Sequence, residues 1–288
     1  MEVDLVGITL ISAVASAAVL LIATLGLAVV FGLMGVINLA HGEFIMLGAY
    51  AALLSTRAGL PFWAAIIVAV ILTAAFGAMV EVLLIRRLYS RILDTMLATW
   101  GLSLVLYQAA VVAFGAVTPG LGFSFPSVNI GAYGISAYLL ALIAVAALLT
   151  AALYLLLTRT NYGLLARAAV QDPQMSAAIG IDAARINTAT FALGCGLAGF
   201  AGAVLLPIVP ATPGMGFAFV VKAFLGVVIA GPLALSGTVL ATGVLGALSN
   251  VTASVWSAVF GDLLFFGATI ALLWLFPEGI SQRWRMKL

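Results

Sequence analysis

Charge is scarce in this sequence. Only 7% of its 288 residues are Asp, Glu, Lys or Arg, and it holds one histidine and one cysteine. A single cysteine, Cys195, excludes an intramolecular disulfide, and with one histidine no Cys/His metal cluster can be built. Its two lysines, Lys222 and Lys287, follow Val221 and Met286, so the Gly-Lys-Ser/Thr of a phosphate-binding loop is missing. The paired histidines of a zinc hydrolase and the Gly-x-Ser-x-Gly elbow of a serine hydrolase are missing too. These absences argue against an enzyme and against ATP hydrolysis by the chain itself.

Apolar sequence fills the rest. A hydrophobic fraction of 65% and a mean hydropathy of +1.31 exclude a soluble globular domain. Apolar segments lie near 5–31, 43–56, 62–85, 95–117, 135–157, 187–209, 217–231, 238–256 and 262–276. A membrane span takes about 20 such residues. The expected fold is therefore all-α, a polytopic transmembrane helical bundle of about 8–9 spans with broken or re-entrant helices, forming one domain over 1–288. Segments 43–56, 217–231 and 238–256 are short or interrupted enough to be re-entrant. The start, Met1-Glu2-Val3-Asp4, is acidic where a secretory leader is basic, so the first segment reads as a retained span.

Basic residues mark the cytosolic side of short loops. Arg86, Arg87 and Arg91 follow the third segment, Arg159, Arg167 and Arg185 the fifth, and Arg283, Arg285 and Lys287 the ninth. If every segment crosses, all three clusters share a side, with the N-terminus out and the C-terminus in. Lys222 and Asp262 then fall near the outer ends of their spans, either paired with each other or with an external partner, or snorkelling to headgroups.

Two stretches carry the polar chemistry. Asn38-Leu-Ala-His41-Gly42-Glu43 interrupts apolar sequence, which is costly unless it sits at an interface or lines a water-filled path. Asn38 either satisfies the broken backbone or lines the path, and Glu43 suits the first turn of a helix. In the fourth segment Thr99, Ser103 and Tyr107 are spaced by four and share a helix face, with Gln108 beside them. A path for a small polar solute needs a few hydroxyls and amides without strong charge, so this face is the candidate lining; the alternative is hydrogen bonding between helices. Trp100 and Trp256 are either aromatics of the path or, as is commoner, residues at interface depth. Aligning Gly42 with Gly237 also aligns Gly48 with Gly243, which suggests a parallel internal repeat around a path.

Residues 158–187 form the longest cytosolic loop. Leu164, Leu165, Ala168 and Ala169 have helical spacing. Asp172-Pro173 starts a second short helix with apolar Met175, Ala178 and Ile179, ended by Gly180. Such a helix either docks on a partner or lies on lipid.

The stretch Gly35-Val-Ile-Asn-Leu-Ala-His-Gly-Glu-Phe-Ile-Met-Leu-Gly-Ala-Tyr50 resembles the signature of the branched-chain amino acid permease family of ABC importers. Tyr162-Gly-Leu-Leu-Ala-Arg-Ala168 followed by Ala177-Ala-Ile-Gly-Ile181 resembles that family's coupling segment, and Phe191–Gly202 its glycine-rich span. The resemblance implies an inner-membrane permease working by ATP-driven alternating access. Its partners would be a second, usually non-identical permease, two cytosolic ATPases that bind the ATP and Mg, and an extracytoplasmic binding protein. No cofactor in this chain and no nucleic acid are implied. Coupling to the ATPases would fall on Gly163, Leu164, Arg167, Ala168, Pro173 and Gly180. Independently of the resemblance, His41 and Glu43 either serve the structure at the helix break or sit at a cytosolic gate or against a partner ATPase. The substrate is urea or a short amide, which Asp94–Leu104 resembles more closely, or a branched-chain amino acid. The alternative class is a self-sufficient ion-coupled transporter or channel, which needs ionisable relays inside its spans.

Overall fold

The computed structural model describes residues 2–89, 91–116, 125–130, 133–231, 235–277 and 279–280. Each of the nine apolar segments is a helix: α1 (Glu2–Met34), α2 (His41–Arg57), α3 (Phe62–Leu83), α4 (Ile92–Phe114), α5 (Ala137–Arg159), α8 (Ala183–Leu205), α9 (Met215–Ala230), α10 (Leu235–Val255) and α11 (Ala258–Leu275). The 158–187 loop supplies α6 (Asn161–Gln171) and α7 (Pro173–Ala178). A short antiparallel hairpin, β1 (Ser127–Ile130) and β2 (Tyr133–Ser136), lies between α4 and α5 and is the one departure from an all-helical chain among the described residues. Arg283, Arg285 and Lys287, and the 232–234 part of the break before α10, lie outside the described residues.

Seven helices, α1, α3, α4, α5, α8, α10 and α11, are long and apolar enough to cross a membrane. The segment at 238–256, expected as a possible half-helix, is one continuous 21-residue helix, α10. The two short ones are α2, with 17 residues, and α9, with 16.

The helices pair as two related sets, α1–α4 and α8–α11. The most extensive contacts are α3 against α8 and α1 against α10, which exchange when the sets exchange; α2 against α8 answers α9 against α1 in the same way. At the middle, α2 and α9 meet each other at their first turns, where a Cβ on Gly42 would lie 2.6 Å from the Gly216 carbonyl oxygen. The long pairs are antiparallel: Thr73 and Gly77 of α3 meet Gly199 and Cys195 of α8, and Ser16 and Ala17 of α1 meet Asn250 and Gly246 of α10. Hence α1 and α3 run against α8 and α10, and the repeat is inverted rather than parallel. The correspondence expected from glycine spacing, Gly42 with Gly237, joins α2 to α10, whereas the packing matches α2 to α9.

Central α8 touches α1, α2 and α3 through glycines and alanines, and Phe44, Phe76 and Phe191 cluster beside it. Small residues let backbones approach closely where lipid leaves no hydrophobic drive between helices. The sets differ in one respect. Whereas α10 and α11 pack as a hairpin, α3 and α4 are separated by a 3-10 turn at Ile85–Arg87. α4 is only lightly attached to its set, and a cavity lies between α4 and α9.

Candidate functional site

The chain leaves α1 at Gly35, whose φ of +64° is open mainly to glycine. Residues 36–40 then run unwound through the protein interior, and their backbone groups need partners. Asn38 is buried and its side-chain oxygen accepts from the Ala40 N–H at 3.1 Å. The Leu39 N–H donates to the Thr99 hydroxyl oxygen at 3.2 Å, and that hydroxyl donates to the Met96 carbonyl at 3.0 Å. Asn38 and Thr99 therefore hold the break in place, and neither is among the residues lining the cavity. Replacing Thr99 by valine keeps the shape and strands a buried N–H, a loss of about 1–3 kcal/mol. The expected result is a lower thermal midpoint; unchanged stability with altered transport would return Thr99 to the path.

The His41 ring is fully buried and its Nε2–H donates to the Ala23 carbonyl of α1 at 3.0 Å. It pins the start of α2 to α1, with Gly26 leaving room for the ring. This gives His41 a structural role inside the bundle in place of the expected cytosolic gate or contact with a partner ATPase.

Glu43, in the first turn of α2, is 4% exposed and borders the cavity between α4 and α9. The Ser103 hydroxyl donates to its Oε1 at 3.0 Å, while its Oε2 has no hydrogen-bond partner. This places Glu43 inside the bundle and not against a cytosolic partner. The cavity measures about 410 Å³. Ser103 and Tyr107 line it, as the spacing on α4 anticipates, together with Trp100 and Leu104 from α4 and Phe217, Val220 and Phe224 from α9. The Tyr107 ring lies beside Gly214, just before α9. Gln108 is exposed and lies outside this lining.

The loop residues divide in two. Thr160 caps α6 by accepting from the Gly163 N–H at 3.3 Å, and Gly163 is buried where a Cβ would strike the Leu157 backbone. The Arg167 guanidinium turns inward and donates to the Leu157 carbonyl at the end of α5, so it ties α6 to the bundle instead of facing outward. Ala168 is half-buried. Asp172 caps α7 by accepting from the Met175 N–H at 2.9 Å, Pro173 takes its first position, and Gly180, at φ +86°, ends it. The short helix buries Ser176 and exposes apolar side chains: Met175 is 60% and Ile179 is 69% exposed, and Leu164 on α6 is 60% exposed.

A network that the sequence reading missed joins α8 and the α3–α4 connection to α3. Buried Glu81 accepts from Thr188 of α8 at 2.6 Å, from Arg86 at 3.1 Å, and from the Tyr89 hydroxyl. Burial, then the Glu81 carboxylate, pushes the Tyr89 phenol up, so it stays a donor. Its signal was a lone acid in the third segment with Arg86 a little over a turn on. At the far end, Lys222 and Asp262 pair with each other at 2.6 Å, one of the readings open from sequence.

The profile of the family described as "Branched-chain amino acid transport system / permease component" matches residues 9–273. The high-affinity branched-chain amino acid transport system permease protein BraD of Pseudomonas aeruginosa is 29% identical over 277 residues, covering 90% of each chain. LivH of Salmonella typhimurium, of the same description, is 27% identical over 276 residues, again 90% of each. The probable branched-chain amino acid transport permease protein LivH of Methanocaldococcus jannaschii is 25% identical over 264 residues, 88% of this chain and 84% of its own. No solved structure matches the chain.

Proposed function

The chain belongs to the branched-chain amino acid transport system permease family, and from that premise we propose that it carries an aliphatic amino acid across the inner membrane through the cavity between α4 and α9. The observation behind this reading is the cavity's lining: mostly aliphatic and aromatic, with one carboxylate and two hydroxyls. Urea is small and polar throughout and has no use for the apolar wall. The named relatives transport branched-chain amino acids, and the urea or short-amide preference drawn from Asp94–Leu104 finds no support among them.

In this reading the chain is one of two permease subunits, set with its N-terminus outside and C-terminus in the cytosol. Two ATPases dock on the apolar face of Leu164, Met175 and Ile179, and a binding protein delivers substrate outside. Motion of α7 reaches α3 through α8 and the Glu81–Thr188 contact, which links the ATPases to alternating access. The test is uptake by the complex reconstituted with binding protein and ATP. Leucine or isoleucine is expected to be taken up in an ATP-dependent manner and urea or acetamide not. Uptake of urea alone would move the substrate to the amide branch, and a purified chain free of any ATPase would support an ion-coupled transporter.

A further inference from the structure

We propose that the Glu43 carboxylate is a subsite for the primary ammonium group of the transported solute. The inference rests on the α4–α9 cavity being the substrate path, and it adds which group of the solute the chain recognises and by which residue: the ammonium of a zwitterionic aliphatic amino acid, met by Glu43. A buried charge is normally paired or fully hydrogen-bonded. Glu43 is nine-tenths buried and borders a cavity, yet only Ser103 meets it, and no lysine or arginine forms an ion pair with it among the described residues. The first turn of α2 favours the negative charge but gives it no partner.

The surroundings select the ligand. One carboxylate and the hydroxyls of Ser103 and Tyr107 are too few oxygens for calcium, which takes six to eight, and a magnesium site keeps several waters that this lining does not suit. An ammonium group has three donors; one to Oε2 and one toward Ser103 complete both groups. Apart from the Tyr107 hydroxyl, the rest of the lining, including Trp100, Leu104, Phe217 and Val220, is apolar and suits an aliphatic side chain. A charge-assisted bond of this kind fixes orientation as well as affinity.

The experiment is saturable binding of radiolabelled leucine to the detergent-purified permease complex without binding protein, with competition by unlabelled leucine and by 4-methylpentanoate, which lacks the amine. The wild-type complex is expected to be competed by leucine at millimolar concentration and not by 4-methylpentanoate. Glu43→Gln keeps the shape and removes the charge, and its leucine affinity is expected to fall by about tenfold or more, the scale of a lost charged hydrogen bond, with Glu43→Asp recovering part of it. Equal leucine affinity in wild-type and E43Q complexes of equal thermal stability would overturn the inference and leave the leucine-transport reading standing. So would a wild-type complex that imports leucine but shows no saturable binding. A wild-type complex that neither binds nor imports leucine overturns the transport reading itself.

Discussion

The double replacement Met175→Glu, Ile179→Glu is expected to abolish the proposed ATP-driven uptake and to release the proposed ATPase partners from the purified complex, while the membrane-embedded bundle keeps its thermal midpoint. Both residues stand outside the folded core, at 60% and 69% exposure, so charging them removes little packing within the chain. Helix α7 buries its serine and shows its apolar groups, the reverse of a helix resting alone in water, and something must cover that face. The loop's neighbours remain intact because α6 is held independently by Thr160, by the Arg167 bond to Leu157, and by the Tyr162 hydroxyl 2.7 Å from Thr190. Losing a central apolar contact and burying two carboxylates typically costs several kcal/mol at an interface, enough to lower occupancy more than a hundredfold. The check is the ATPase-to-permease ratio after affinity purification, followed by uptake. If the face rests on lipid instead, the ratio stays at the wild-type value. Arg167→Glu is expected to destabilise the α5–α6 junction, where Arg167 bonds the Leu157 carbonyl, and so cannot separate docking from folding.

The helices were legible in the sequence and their partners were not. Nine apolar segments became nine helices because a chain in lipid must satisfy its backbone internally, so hydropathy maps directly to structure. Inside the bundle that mapping ends. Thr99 and Ser103 share a face of α4, yet the unwound residues 36–40 cover the first and leave the second on the cavity. Only the path of another segment, bound to Thr99 through Leu39, decides this. Glycine spacing suggested a parallel repeat because glycine is common wherever helices touch, whatever their direction. The inverted pairing is carried by which helices meet, and no short motif records that. His41 is the plainest case: a polar residue beside a helix break suggests a surface, but one hydrogen bond to Ala23 and a gap at Gly26 give it an interior place.

The second large effect is expected from Gly202→Val, which should yield no folded protein, with Gly202→Ala already severely impaired. A Cβ at Gly202 would overlap the Ile45 carbonyl oxygen, and one at Gly48 would overlap the Gly199 backbone, so α2 and α8 touch backbone to backbone over this stretch. A flexible side chain can move away from an added methyl, but a peptide carbonyl committed to its own helix cannot, and overpacking costs rise beyond the usual 1–3 kcal/mol (about that range for a well-packed core). The control is Gly267→Ala on α11, where no atom lies within 4 Å of the added methyl. There alanine is expected to leave the thermal midpoint unchanged or raise it, since glycine inside a helix costs about 0.5–1 kcal/mol relative to alanine. Folded yield by size-exclusion chromatography separates the two results. Equal tolerance at Gly202 and Gly267 would mean that α2 and α8 are not in backbone contact.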